Sequence, residues 1–240
     1  MDVNKIKVMA FDLDGTLSQH KLPIPEKNKE TLIALSKKYK LLMAGAGMAM
    51  RIFNQIGRLP IDILANYGMQ YGIYNHKTKE LDIVRDIVVP CDREKAEKFT
   101  NEFRQKYGFT QYVGKNVEFH SSGCITIPLL GTDAKLEDKL AFDPDRSKRR
   151  KIYDEVIKAF PDYHVFVGGT SSYDMAPKPY NKYYALNNWC KENGYEHSEV
   201  VFVGDDYGIG GNDESVYKSD FNFIKVDNYL NFPDLVKEFL

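Results

Sequence analysis

Four short apolar runs that break off in polar or glycine-rich turns constrain this chain most. They fall at residues 6–11, 41–44, 61–65 and 200–203, with helix-periodic stretches between them. Such runs suit strands buried on both faces, because a strand with one wet face alternates apolar and polar residues instead. Pro25 opens one intervening stretch, with Leu32, Ile33 and Leu35 on one face and Lys and Glu on the other. The run at 41–44 ends in the bend Gly45-Ala46-Gly47, which feeds a further segment at 48–56. Strands alternating with helices predict an α/β fold with a Rossmann-like parallel-sheet core covered on both faces.

Between residues 87 and 177 the pattern changes. Amphipathic helices near 93–107 and 146–160 alternate with short strands near 117–120, 124–128 and 164–167, which predicts an inserted α+β domain. The expected organisation is a core of residues 1–86 and 178–240 around an insertion of 87–177. The basic run 148–151 reads as the solvated first turn of a helix rather than a nucleic-acid patch. Ile152, Tyr153, Val156, Ile157 and Phe160 follow it at helical spacing.

A chain of 240 residues can bury a core without staples. Its 33 basic and 34 acidic residues nearly cancel, so no global field draws nucleic acid or an anionic membrane, and any anion must be held by a local site. Cys91, Cys124 and Cys190 are too far apart for a C-x-x-C pair and odd in number, which predicts a reducing, cytoplasmic setting. The five histidines are scattered without zinc-binding spacing. Asp2, Lys5 and Lys7 interrupt the first residues, which read as a strand and not as a signal peptide or membrane span.

The chemistry concentrates where the apolar runs stop. Phe11-Asp12-Leu13-Asp14-Gly15-Thr16-Leu17 puts two carboxylates directly after the first strand, at the end where open α/β sheets bind ligands. A calcium loop starting at Asp12 is excluded, because Leu17 stands where its sharp-turn Gly belongs and Pro23 where its bidentate Glu belongs. Gly204-Asp205-Asp206 brings further carboxylates to the end of the run at 200–203, and Gly210-Gly211-Asn212-Asp213 follows. Lys182 opens the periodic stretch 183–189 and so stands at a helix N-terminus, where anions are favoured. That sets it ahead of its competitor Lys178.

The segment DLDGTL resembles the first motif of the haloacid-dehalogenase-like phosphatases, and matching segments cover nearly the whole chain. The resemblance implies that Asp12 is a nucleophile forming an aspartyl-phosphate and that Asp14 is the acid/base. It also implies that Lys182 bridges nucleophile and phosphate. Mg²⁺ would be held by Asp12, the Asp14 carbonyl and Asp205, with Asp213 orienting a metal-bound water. Gly45, Ala46, Gly47 and Asn212 fall at phosphate-binding positions. One departure stands out: the second motif carries a Ser or Thr hydroxyl, and here Gly47 occupies that position. A lost hydrogen bond to a charged group costs roughly 1.5–3 kcal/mol, which predicts a slower site rather than a dead one.

Within that superfamily, GGTSSYDMAPKPYNK, VFVGDDYGIGGNDESVY and VEFHSSGCITIPLLG are similar to segments of the eukaryotic-type phosphomannomutases. By that likeness Ser172 and Asp174 touch sugar hydroxyls from the inserted cap. Mutase chemistry needs a second phosphate site built from cap arginines, because arginine's planar fork binds phosphate bidentately. The matching positions are Val113, His120, Thr132 and Lys139; only Lys139 is cationic, and residues 113–142 contain no arginine. The expected function is therefore Mg²⁺-dependent hydrolysis of a small phosphorylated metabolite, a sugar phosphate above all. The alternatives are interconversion of mannose 6-phosphate and mannose 1-phosphate, and a non-catalytic binding protein. No nucleic acid or membrane partner is expected, and a homodimer stays open.

Overall fold

A computed structural model describes residues 1–240. In chain order its strands are β1 (Val8–Phe11), β2 (Lys40–Ala44), β3 (Asp62–Ala65), β4 (Gln70–Asn75), β5 (Glu80–Asp86), β6 (Glu118–Phe119), β7 (Ile125–Pro128), β8 (Tyr163–Phe166), β9 (Ser172–Pro177), β10 (Val200–Gly204) and β11 (Asn222–Lys225). The α-helices are α1 (Glu26–Leu35), α2 (Ala49–Gln55), α3 (Arg93–Tyr107), α4 (Leu136–Phe142), α5 (Ser147–Lys151), α6 (Tyr153–Ala159), α7 (Lys182–Asn193), α8 (Glu214–Tyr217) and α9 (Phe232–Leu235). No helix is long and apolar enough to cross a membrane. Two compact units result: Met1–Ile87, Tyr180–Gly208 and Asp213–Leu240 in the first, Val88–Pro179 and Ile209–Asn212 in the second.

The first unit is built on a seven-stranded sheet in the order β11-β10-β1-β2-β3-β4-β5, parallel from β11 to β3. Successive residues of β1 face opposite ways, and both faces are dry. Met9 and Phe11 pack with Leu32, Leu35, Ile52, Phe53 and Phe232, while Val8 and Ala10 pack with Leu186, Trp189 and Phe202. This is why the runs read as continuous rather than alternating. The register sets Phe11 level with Met43 and with Val203. The turns after β1, β2 and β10 therefore emerge side by side at the carboxyl edge.

One expectation for this unit needs correcting, and the parallel core carries one addition. Ile33 is 43% exposed, and the buried face of α1 is Asn28, Thr31, Leu32 and Leu35. Asn28 earns its place by donating to the Leu17 and Tyr229 carbonyls at 2.9 and 2.8 Å. The core sheet is also not wholly parallel. The antiparallel hairpin β4–β5 extends it, and its turn at 76–79 carries neither Gly nor Pro as a signal.

The second unit is a four-stranded antiparallel sheet, β6-β7-β9-β8. Tyr173 and Met175 of β9 point into a core with Ala96 and Phe103 of α3 and Val156 of α6. The predicted helix at 146–160 is interrupted. Arg146 has φ +61°, and Ile152 separates α5 from α6. The basic run before it is not simply solvated, because Arg149 is fully buried. Its Nε lies 2.8 Å from Asp143, and its Nη1 donates to the carbonyls of Gly168 (2.5 Å) and Ser172 (2.9 Å).

Candidate active site

The Asp12 amide donates to the Val203 carbonyl at 2.9 Å, so the nucleophile candidate extends the β1 ladder by one residue. The chain then coils tightly, with the amides of Leu17 and Ser18 both donating to the Leu13 carbonyl. Gly15 makes this possible: its φ is +99°, and a Cβ there would lie 2.4 Å from Asp205 Oδ2. Thr16 donates to Asp205 Oδ1 at 2.9 Å, tying the turn to the end of β10.

Lys182 is the first residue of α7, whose N-cap Asn181 accepts from the Tyr184 amide. Its Nζ lies 2.5 Å from Asp12 Oδ1 and 2.6 Å from Asp213 Oδ1, and it is 1% exposed. Burial opposes its charge, but the two carboxylates outweigh burial and raise its pKa, so the ammonium stays protonated. Asp213 is held through its other oxygen by the Asp206 amide at 3.0 Å.

Ligand oxygens of Asp12, Asp205 and Asp213 all lie within 4.8 Å of one another. Burial, and then the like charges of Asp12 and Asp213, push the Asp205 carboxyl up to about 8. Three carboxyl groups crowd one ammonium, and Asp205 therefore holds its proton near neutral pH rather than add a further negative charge. Their oxygen-only donor set fits a hard divalent cation such as Mg²⁺, which would relieve that repulsion.

The Asp14 side chain lies outside this cluster. It accepts from Arg51 Nη1 (3.0 Å), Gln55 Nε2 (2.8 Å) and the Lys21 amide (2.7 Å). Burial would raise its pKa, but Arg51, Gln55 and Lys21 together hold the carboxyl below its usual range. The two carboxylates of the motif thus have different surroundings, one facing Lys182 and the other Arg51. The sequence reading missed Arg51 and Gln55, although their four-residue spacing on α2 is a visible sign that they share a face. In the bend after β2, the Gly45 amide donates to the Leu64 carbonyl at 2.9 Å. Ala46 and Gly47 follow, both half-buried.

The remaining candidates lie in the second unit. Ser172 and Asp174 share the polar side of β9, with Ser172 Oγ 3.3 Å from Asp174 Oδ1. Thr126 of β7 donates to the same oxygen at 2.9 Å, and His120 Nε2 is 3.1 Å from the Thr126 hydroxyl. Lys139 of α4 donates to the Thr132 carbonyl at 2.7 Å. Asn212 belongs to the short segment Ile209–Asn212 grouped with this unit, and Lys178 to its main stretch Val88–Pro179.

A Rossmann-like sheet gathers three acids and a buried lysine at its carboxyl edge, and together with the chain's relatives this makes the class an α/β enzyme of the phosphatase or phosphotransferase kind. Residues 9–213 match the haloacid dehalogenase-like hydrolase family, and the chain belongs to that family. It is 25% identical to a phosphomannomutase of Saccharomyces cerevisiae over 88% of this chain and 84% of that protein. It is 28% identical to a phosphomannomutase of Encephalitozoon cuniculi over 92% and 88%. Among solved structures, an IMP-nucleotidase of Plasmodium falciparum shares the fold with a TM-score of 0.70 at 15% identity, covering 99% of this chain and 71% of that one. A HAD-superfamily phosphatase from Bacteroides thetaiotaomicron does so with a TM-score of 0.60 at 16% identity, covering 98% and 95%.

Proposed function

We propose that the chain is a Mg²⁺-dependent phosphohydrolase acting on a small phosphorylated metabolite, a sugar phosphate, through an aspartyl-phosphate on Asp12. The observation that carries this is the buried contact of Lys182 with both Asp12 and Asp213, beside a carboxylate cluster suited to a divalent cation. In the first step an Asp12 carboxylate oxygen bonds to phosphorus, the ester P–O bond breaks, and the leaving alkoxide takes a proton from Asp14, which must enter the step protonated although Arg51 and Gln55 favour its carboxylate form. In the second, Asp14 takes a proton from water, whose oxygen bonds to phosphorus as the Asp12–phosphoryl bond breaks and phosphate leaves. Lys182 neutralises charge on the Asp12 carboxylate and on the incoming phosphoryl oxygens. A bound Mg²⁺ at Asp12, the Asp14 carbonyl and Asp205 would supply the remaining positive charge.

On this reading residues 1–86 and 178–240 carry the chemistry, and the inserted 87–177 selects the substrate through Ser172 and Asp174. The setting is the cytoplasm, in keeping with cysteines that form no disulfide. The likeness to phosphomannomutases over most of their length supports a sugar phosphate and keeps mutase activity as a second reading. Against it stand Val113, His120 and Thr132 where that branch needs arginines, and the Lys139 ammonium already engaged by a backbone carbonyl.

The test is one preparation assayed for two fates. Phosphate should be released from small phosphate esters in the presence of Mg²⁺ and not in excess chelator. Hexose 1- and 6-phosphates should not interconvert at a comparable rate even with a hexose 1,6-bisphosphate primer. Primer-dependent isomerisation outrunning phosphate release would overturn the preference for hydrolysis.

A further inference from the structure

The second motif of this chain lacks its hydroxyl, and the space which that side chain would occupy is filled. A Cβ built on Gly47 would lie 2.0 Å from Arg51 Nη2, 2.5 Å from Nε and 2.6 Å from Cζ. The guanidinium therefore lies against the Gly47 backbone, across the bend that follows β2 and beside the Asp12 turn. Its Nη1 is committed to Asp14 (3.0 Å) and to Gln55 Oε1 (2.7 Å), while Nε and Nη2 donate to no protein acceptor. The side chain is 37% exposed, so those donors are open to a ligand. Gln55 completes the anchor by donating to Asp14 Oδ1 at 2.8 Å and to Ser18 Oγ at 3.0 Å.

We propose that Arg51 is a phosphate-binding side chain of this site, standing in for the absent hydroxyl, and that Gly47 is glycine because only a missing side chain lets the guanidinium lie there. This rests on the phosphotransfer reading above. The physical argument is one of donors and geometry. A guanidinium offers a planar pair of N–H groups that match two phosphoryl oxygens, with a full positive charge where a hydroxyl offers a single neutral donor. Anchoring through Nη1 to Asp14 and Gln55 fixes the fork before substrate arrives, which lowers the ordering cost of binding. The same contact sets the orientation of the Asp14 carboxylate.

The two residues are consequently coupled with a definite sign. A serine at 47 and the observed Arg51 rotamer exclude each other, yet Gly47 has no positive φ that would forbid a side chain. The obstructing atoms belong to the far end of a flexible chain, so Gly47→Ser should fold and evict the guanidinium. Arg51→Ala should lower kcat/KM for phosphate release by roughly 10- to 100-fold, the loss expected for one charge-assisted contact. Arg51→Lys, which keeps the charge and loses the fork, should fall between. Gly47→Ser should lower activity in the wild-type background and raise it severalfold in the Arg51→Ala background, where its hydroxyl has room.

Orthovanadate binding in the presence of Mg²⁺, measured on the same four proteins and the double variant, reads the phosphate site without turnover and should follow the same pattern. If the wild type releases phosphate but Arg51→Ala stays within twofold in both assays, the inference fails and the hydrolase reading stands. Independent, multiplying losses from Gly47→Ser and Arg51→Ala would equally overturn it. If the wild type releases no phosphate yet binds orthovanadate with the expected reversal of sign, the inference stands and the hydrolase reading falls. A wild type that neither turns over nor binds orthovanadate would remove both.

Discussion

Lys182 is the one cation among three buried or half-buried carboxylates, so its removal and that of its partners have unequal consequences. Replacing one member of a buried, hydrogen-bonded charge pair leaves the other uncompensated and typically costs about 3–5 kcal/mol. Lys182→Ala should therefore abolish turnover and lower stability by a comparable amount, read by chemical denaturation without metal. Asp12→Asn keeps shape and hydrogen bonding, so it should eliminate phosphate release while the fold persists. Substantial remaining activity would contradict Asp12 as nucleophile. The positions of Asp12, Lys182 and Asp205 were readable because each directly follows a strand or opens a helix, whereas Asp213 came only with the family resemblance. Arg51 and Gln55 were not, because their importance lies in what they touch across the fold, namely Asp14, which is 37 and 41 residues away in sequence but adjacent in space.

At the scale of elements, the link between β9 and the short helix α5 is the most exposed to single substitutions. Asp143 accepts from Arg149 Nε (2.8 Å) and from the amides of Lys148 (3.0 Å) and Arg149 (3.1 Å), in a place with no solvent access. Burial would raise its pKa, but Arg149 and the two amides prevail and hold it below the ordinary 3.8. A depressed folded-state pKa contributes stability that is present above 3.8 and lost as pH falls through the folded value. Asp143→Asn should destabilise the protein by about 3–5 kcal/mol near neutral pH, because Arg149 stays buried without a counter-charge. It should also flatten the acid limb of a stability-versus-pH curve, and an unchanged limb would contradict this role. Element type was legible where periodicity was strong, as in α3, or where an apolar run was continuous, as in β1. It failed at the β4–β5 hairpin, at β9 and at α5, where the local signal is weak and a tertiary contact such as Arg149–Asp143 decides. Ile33 shows the same limit, since the buried face of α1 is completed by Asn28 through side-chain hydrogen bonds that apolar counting does not see.

Across the whole molecule, the charge balance of the active site is the property most open to measurement. Burial, and then the like charges of Asp12 and Asp213, lift the Asp205 carboxyl to about 8, so ionising it is unfavourable until a divalent cation offsets the charge. Mg²⁺ should raise the melting temperature by an amount that grows with its concentration, as binding to the native state alone requires. Asp205→Asn should weaken that response. The account's central claim is the covalent step at Asp12, and its most direct test is mass spectrometry of the Asp14→Asn variant after exposure to an aryl phosphate. Such an ester needs no general acid for departure, so only the second step should be blocked. The account predicts one added phosphoryl group on the peptide containing Asp12, absent when Asp12 is also replaced by Asn. Release of the aryl alcohol with no adduct, or an adduct on any other residue, would contradict it.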